Sequence, residues 1–412
     1  MTIYFCNEAG EEMANKKKKK WILPRHRVVT AVLRHPVGWY CALRYGMKLP
    51  RRKEWIRQQS LILLNHQTPF DQFFVGLHFK NPVYYMATED IFSNGWVSKL
   101  IQFLVAPIPI KKQTTDIKAV MNCIRVVKEG GSIAIAPEGN RTYSGKTEYM
   151  NPAIAPMAKK LGMPIVLFRI DGGYGKEPRW SDVVRRGKLK CEITRVISPE
   201  EAKAMTNEEL CEAIREGLYV NEACVDREYH HKKLAQYMER AIYVCPHCGL
   251  STFESHGDII ECKKCHRQTR YLPSKELQGV GFDSPFRFVN DWYEYQKDFV
   301  NGFDPTPFTE TPIYEDRAKV SEVIVYKRKE VLMKDAPVRL YGNRIELGDT
   351  VLPFEEISTV AVLGKNKLNI YHTEKLYQLK SDKRFNALKY VNLFYRSKNI
   401  MRGESDGKFL GL

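Results

Sequence analysis

Two Cys-x-x-Cys pairs, Cys245/Cys248 and Cys262/Cys265, stand thirteen residues apart in a chain of 412. Four thiolates in that pattern suit the tetrahedral preference of one structural zinc ion, and Gly249 eases the turn after the first pair. A closed shell of four cysteines has no open position, so the expected role is to fold a small ribbon rather than to catalyse. His247 and His266 sit beside the pairs as alternative ligands, and redox-active or idle thiols are the competing reading. The other cysteines, Cys6, Cys41, Cys123, Cys191, Cys211 and Cys224, are scattered singly. They read as small apolar residues in a reducing compartment, not as a disulfide framework.

Upstream of the pairs, short apolar runs alternate with helical stretches. Leu61–Leu64, Val83–Met86, Val105–Ile110, Ile133–Ala136 and Pro164–Ile170 read as strands, with Lys188–Ile197 as an edge strand. Asp116–Glu129 reads as a helix closed by Gly130-Gly131. Thr206 with Glu209 makes a capping box opening a helix through Gly217, and Asp226–Arg240 reads as a charged helical stretch. This alternation predicts an α/β fold with a mixed, largely parallel sheet and flanking helices, ending near residue 240. With 43% hydrophobic residues the chain can bury a sizeable core, which excludes wholesale disorder. No stretch approaches the 18 or so apolar residues of a spanning helix. The best, Leu100–Ile110, is short and carries two prolines.

The net charge of +17 is lopsided: residues 1–60 hold fourteen Lys/Arg, Lys16–Lys20 among them, against four Glu. Such an arm seeks a polyanion, either nucleic acid or an anionic lipid surface; a solvated tail is the bland alternative. Trp21, Ile22, Leu23, Val28, Val29, Val32, Leu33, Trp39, Tyr40 and Leu43 interleave with the cations, which suits an amphipathic interfacial segment. Pro24 and Pro36 are expected to break it into pieces of a few turns. No secretory signal is visible, so a cytoplasmic protein, peripheral on the inner face of a membrane, is expected.

Two polar loops follow apolar strands. Asn65-His66-Gln67-Thr68-Pro69-Phe70-Asp71 places Asp71 where it can return to the His66 imidazole, fixing its tautomer and raising the basicity of the far nitrogen. Ala136-Pro137-Glu138-Gly139-Asn140-Arg141-Thr142 offers a glycine for close backbone approach and, at Arg141, a planar fork suited to phosphate. Taken singly, each is an ordinary turn or ion pair. Together, on the carboxyl ends of parallel strands, they can meet in one cleft.

An Asn-His-x-x-x-x-Asp block followed by a Pro-Glu-Gly-x-Arg block, in this order and distance, resembles the glycerolipid acyltransferases, among them the 1-acylglycerol-3-phosphate acyltransferases. The resemblance spans residues 30–240. Between the blocks, Ile108-Pro109-Ile110-Lys111-Lys112 stands where family members carry an arginine, so Lys112, and secondarily Lys111, takes the cationic role. Met163-Pro164-Ile165-Val166 matches a further block, with Leu167 where a second proline is common. Ala136 replaces an aromatic, Asn140 a threonine and Thr142 a serine, departures that bear on the acceptor. The resemblance implies that His66, oriented by Asp71, deprotonates an acceptor hydroxyl attacking an acyl thioester. Lys111, Lys112, Glu138, Gly139 and Arg141 would bind the acceptor, with Glu138 organising Arg141 by a hydrogen bond. The implied donor is acyl-CoA or acyl-carrier protein, and the implied acceptor a lysophospholipid, first 1-acylglycerol 3-phosphate. Another lysophospholipid or an amino-lipid is the alternative acceptor, and a non-catalytic nucleic-acid-binding zinc ribbon the alternative class. Against nucleic acid stands the lack of any aromatic-basic RNA motif.

After the cysteines, Phe286, Phe288, Trp292, Tyr293, Tyr295, Phe299 and Phe303 form a stripe best read as a packing face, before a Pro-rich linker, Asp304–Pro312. Short alternating strands follow: Val323–Tyr326, Val338–Tyr341, Arg344–Leu347, Thr350–Leu352, Thr359–Leu363, Lys367–Tyr371 and Lys375–Gln378. Gly342-Asn343, Gly348-Asp349 and Lys365-Asn366 supply turns, and a helix, Lys383–Tyr395, closes the run. This pattern resembles a pleckstrin-homology-like β-barrel plugged by Leu388, Val391, Leu393 and Phe394 from one helical side. Lys365, Lys367 and Lys375 are candidate headgroup contacts, with a packing or partner-docking role for the domain as an alternative of at least equal weight. The expected division is a basic arm (1–25), an acyltransferase domain (26–240), a zinc ribbon (241–272), an aromatic helix with linker (273–318) and the β domain (319–412). Truncation before 319 is expected to leave His66-dependent transfer intact.

Overall fold

Strand β1 (Leu61–Leu64) is apolar and buried at every position because both faces of its sheet are covered. Leu61 and Leu63 point into one core and Ile62 and Leu64 into the other. The computed structural model describes residues 20–110, 117–324 and 327–404. In it β1 lies centrally in a six-stranded sheet with β2 (Val83–Thr88), β3 (Ile108–Ile110), β4 (Ser132–Ile135), β5 (Ile165–Asp171) and β6 (Lys190–Ile197), in the order β3-β2-β4-β1-β5-β6. All pairings are parallel except that of edge strand β6 with β5. The fold is therefore α/β with a mixed, largely parallel sheet. Helices α1 (Pro24–Tyr45) and α2 (Asp71–His78) cover one face. Helix α3 (Trp96–Val105) packs beside α1. Helices α4 (Ile117–Lys128), α5 (Ile154–Leu161), α7 (Pro199–Ala204) and α8 (Asn207–Leu218) cover the other face, and a single turn, α6 (Gly173–Lys176), follows β5. The capping box Thr206/Glu209 forms as read from the sequence.

Three sequence readings change upstream of the cysteine pairs. First, α1 is one helix of 22 residues, not short pieces. Pro24 occupies its first turn, where no amide hydrogen is needed, but Pro36 lies inside it and removes a backbone bond, a cost of about 3 kcal/mol. Tertiary contacts on both sides of the proline offset it. His26 bonds the Tyr84 hydroxyl at 3.0 Å, the Arg34 guanidinium donates to the carbonyls of Leu77 and Phe79, and Cys41 and Tyr45 are fully buried. Second, Val105–Ile110 is split: Val105 ends α3 and the strand begins at Ile108. Third, Asp226–Arg240 is no α-helix and holds only one 3-10 turn at Met238–Arg240. Its backbone partners lie far away in sequence, as in Tyr229 N to Pro273 O and Ala235 N to Gly257 O, and buried Tyr229, Leu234 and Met238 outweigh local helical bonding.

The cysteine pairs lie on a hairpin, β7 (Val244–Cys245) and β8 (Gly249–Leu250), and beside a four-stranded sheet of β9 (Phe253–His256), β10 (Ile259–Cys262), β11 (Gln268–Tyr271) and β12 (Leu277–Gly279). Helix α9 (Val289–Gly302) turns Trp292, Tyr293 and Val300 into the same core, so the aromatic stripe is a packing face. Then comes an antiparallel sheet of seven strands: β13 (Tyr314–Ile324), β14 (Arg328–Leu340), β15 (Arg344–Leu347), β16 (Thr350–Pro353), β17 (Ile357–Leu363), β18 (Lys367–His372) and β19 (Lys375–Lys380). The order β16-β15-β14-β13-β19-β18-β17 places the two end strands far apart in the hydrogen-bond ladder. Residues 325 and 326, expected in its first strand, lie outside the described residues. Helix α10 (Leu388–Met401) begins and ends later than the sequence suggested. It is buried around its circumference: besides Leu388, Val391, Leu393 and Phe394, also Lys389, Tyr390 and Asn392. Its second side faces the ribbon, where Asn392 Nδ2 donates to the Tyr243 hydroxyl at 2.7 Å. Ribbon, α9 and β module thus share one hydrophobic core, which also takes in Tyr143 and Trp180 of the upstream domain.

Candidate active site

Parallel strands β1, β4 and β5 are neighbours, so the loops leaving their carboxyl ends lie side by side. The loop after β1 carries His66. Asn65, buried behind it, locks β1 to β5: its Nδ2 donates to Ile170 O at 2.8 Å and its Oδ1 accepts from Ile170 N at 2.7 Å. Gln67 Oε1 accepts from Tyr174 N at 2.7 Å. Gly173 lies under this loop, where an added Cβ would sit 2.6 Å from Gln67 Cβ. The His66 loop is thereby held to β5 and to the turn that follows it.

His66 Nδ1 is 2.7 Å from Asp71 Oδ2. The Asp71 carboxylate is 1% exposed and also accepts from the amides of Gln67 and Thr68 and the Thr68 hydroxyl. These bonds make the carboxylate an acceptor toward His66, so Nδ1 is the ring nitrogen that donates to it and Nε2 takes no part in the pair. The imidazole is 28% exposed, unlike its partner. A buried orienting carboxylate and an accessible ring are what general-base chemistry requires.

Glu138, after β4, ties the two loops together. Its Oε1 accepts from His66 N at 2.9 Å and its Oε2 from Glu148 N at 3.1 Å, while Thr142 N donates to His66 O at 3.1 Å. The expected bond from Glu138 to Arg141 is not made, because backbone amides take both its oxygens. Burial pushes the Glu138 carboxyl up from 4.5 to about 8. Gly139 has φ +70° and open space where a side chain would stand. Arg141 is nine-tenths buried, and its Nη1 has no hydrogen-bond partner among the described residues. Burial, and next the adjacent Arg179 guanidinium, lower it from 12.5 to about 10, still protonated at neutral pH. A buried cationic donor without a partner is costly unless an anion reaches it. Lys111 and Lys112 lie outside the described residues.

Contacts the sequence did not reveal complete the surroundings. Glu177 is buried and accepts from the Tyr45 hydroxyl at 2.6 Å; Tyr45 packs on Phe70 at 5.2 Å between ring centroids. Tyr40 of α1 stacks on Phe70 at 5.3 Å, linking that helix to the catalytic loop. Lys365 is no free headgroup contact: its ammonium bonds Glu177 Oε1 at 3.2 Å and the Ser181 carbonyl. No local pattern marks these contacts: Glu177 meets Tyr45 and Lys365 from more than a hundred positions away, and Phe70 meets Tyr45 and Tyr40 from 25 and 30 positions away.

The four paired cysteines have their sulfurs within 4.8 Å of one another, with Cys245 and Cys265 3.8 Å apart. A zinc tetrahedron with bonds of about 2.3 Å has edges of roughly 3.8 Å, so the set fits one zinc ion. His266 is turned away and bonds Glu261 at 3.0 Å.

The model of the Acyltransferase family matches residues 47–170, which hold both loops. The chain therefore carries an acyltransferase domain and is an enzyme that moves acyl groups. A solved structure, the 1-acyl-sn-glycerophosphate (LPA) acyltransferase PlsC from Thermotoga maritima, is similar at 19% identity and a TM-score of 0.38, over 46% of this chain and 75% of that one. No curated protein matches the chain significantly.

Proposed function

We propose that the chain transfers a fatty acyl group from a thioester to the free hydroxyl of a lysophospholipid bearing a phosphate monoester, 1-acylglycerol 3-phosphate first. The observation that carries this reading is the pair formed by an oriented His66 and, across the Glu138 tie, the buried Arg141 guanidinium, whose Nη1 has no partner among the described residues. The thioester is already activated, so neither metal nor covalent intermediate is required. His66 Nε2 takes the proton as the hydroxyl attacks the thioester carbonyl, and the thiolate leaves. Arg141 holds the acceptor phosphate and with it the hydroxyl's position. Acyl-CoA and acyl-carrier protein both fit the donor role.

Helices α1 and α3 support work at a membrane surface. They leave Trp39, Leu43, Trp96, Leu100 and Phe103 exposed, with Arg25 lying over the Phe103 ring at 4.1 Å. No helix among the described residues is long and apolar enough to cross a membrane. An exposed aromatic face with flanking cations suits peripheral attachment to an anionic bilayer. The four cysteines hold one zinc that folds the ribbon and takes no part in the reaction.

The test is acceptor-dependent release of thiol from acyl-CoA. Lysophosphatidic acid is expected to support turnover, and a lysophospholipid with a choline-esterified phosphate to support it at least about tenfold less well. R141M should remove that preference. Equal rates with both acceptors in the wild type would contradict the assigned acceptor class.

A further inference from the structure

The acceptor loop is more enclosed than a loop at a sheet edge usually is: Asn140, Arg141, Thr142, Tyr143 and Ser144 are each at most 9% exposed. What encloses it comes from far along the chain. Arg179 Nη1 donates to the Arg141 carbonyl at 2.9 Å, its Nε to Gly364 O at 3.0 Å and its Nη2 to Val362 O at 3.3 Å. Its guanidinium lies 4.3 Å from the centre of the Tyr143 ring, which stacks on Tyr293 of α9. The same turn, between β17 and β18, is held to the catalytic domain by Lys365, which bonds Glu177 and the Ser181 carbonyl.

We infer that Arg179 is a positioning residue for the acceptor: it sets the Arg141 loop against the β17–β18 turn, so that the β module completes the acceptor site. The inference rests on the function proposed above. All three anchoring bonds of Arg179 go to backbone carbonyls, one on the acceptor loop, one at the end of β17 (Val362) and one on the turn after it (Gly364). A planar guanidinium with several donors can span those carbonyls, whereas a lysine ammonium cannot satisfy them in one plane. Arg179 also places a second positive charge beside Arg141. Of the nearby carboxylates, Glu177 is taken by Tyr45 and Lys365, and Asp71 by His66 and its loop. Neither carboxylate is therefore a hydrogen-bond partner of Arg141 Nη1, which stays without one among the described residues. Misplacing Arg141 by about 1 Å would weaken its grip on a phosphate without touching the donor or the base.

The test uses the full-length protein: wild type, R179M, R179K and K365M, assayed by thiol release with acceptor and donor varied in turn. R179M should raise the acceptor KM roughly tenfold with the donor KM within about twofold of wild type, and R179K should recover part of the loss. K365M keeps the three Arg179 bonds but frees the turn from Glu177, and should raise the acceptor KM about threefold. A merely structural role would lower kcat with the folded fraction and leave both KM values in place. Should R179M fail to fold by circular dichroism, K365M decides. An unchanged acceptor KM in a folded R179M or K365M, as an acyltransferase domain independent of the β module would give, overturns the inference alone. A wild type inert toward lysophosphatidic acid removes the acceptor reading and this inference with it.

Discussion

At the scale of single residues, Glu138 does something its motif does not announce. Local spacing suggests a partner for Arg141 three positions on, but the carboxyl group instead joins the His66 loop to its own by accepting two backbone amides. Its folded pKa, about 8, lies above the ordinary 4.5, so the folded state binds a proton more tightly than the unfolded chain. The stability this contributes is full below the unfolded value and is lost as pH rises toward the folded one. Glutamine keeps one acceptor oxygen and turns an amide NH2 toward the other backbone donor. E138Q should therefore cost about 1–3 kcal/mol at acidic pH. Denaturant titrations should show the gap between wild type and variant narrowing from about pH 5 to 8; a gap that widens over that range contradicts the assignment. His66, Asp71 and Gly139 were legible because chemistry-bearing residue types stand directly at strand ends. Arg179 and Glu177 were not, because what they touch is set by the fold and not by neighbours in sequence.

At the scale of elements, strands of the first sheet were the most legible, since a doubly covered sheet requires unbroken apolar runs such as Leu61–Leu64 and Ile165–Phe168. Helix α1 was misread because proline statistics are local, while Arg34, Cys41 and Tyr45 secure it from outside. The segment 226–240 was misread for the converse reason: helix-forming composition yields to distant backbone partners. The continuity of α1 gives its exposed residues Val32, Trp39 and Leu43 one common scaffold, joined through Tyr40 and Phe70 to the catalytic loop. Replacing Trp39 and Leu43 by serine removes apolar surface from solvent and should leave folding unchanged. In vesicle sedimentation, the double variant should bind anionic vesicles at least about tenfold less tightly. Wild-type binding should weaken as salt rises. Undiminished binding by the variant would place the membrane contact elsewhere.

At the scale of the molecule, the cysteine pairs were legible one by one but their structural reach was not. The sequence divides the C-terminal half into ribbon, linker and β module, whereas the structure runs one hydrophobic core through all of them and presses α10 between ribbon and sheet. Freshly purified protein is expected to hold about one zinc per chain. Removing it should lower the unfolding temperature of the ribbon and β module together, because the shared core couples them. Metal analysis with differential scanning calorimetry checks both; much less than one zinc in reduced protein would contradict the assignment. The β module also touches the catalytic domain a second time, where Lys329 and Gln378 both bond Asp90, just past the carboxyl end of β2. Its last five strands were readable from alternation and turn dipeptides, whereas β13 begins at Tyr314, ahead of the expected start at 319, and β14 begins at Arg328 rather than Val338; docking against the edge of another sheet leaves no trace in local pattern.

The central claim is that His66, held by Asp71, is the base for acyl transfer. It is tested most directly by comparing wild type and H66A in thiol release from acyl-CoA with saturating lysophosphatidic acid, after confirming equal thermal unfolding. General-base catalysis by a positioned side chain contributes about 10²–10⁴-fold, so H66A should lose at least a hundredfold in kcat with little change in acceptor KM. A folded H66A protein with near-normal turnover would contradict the account.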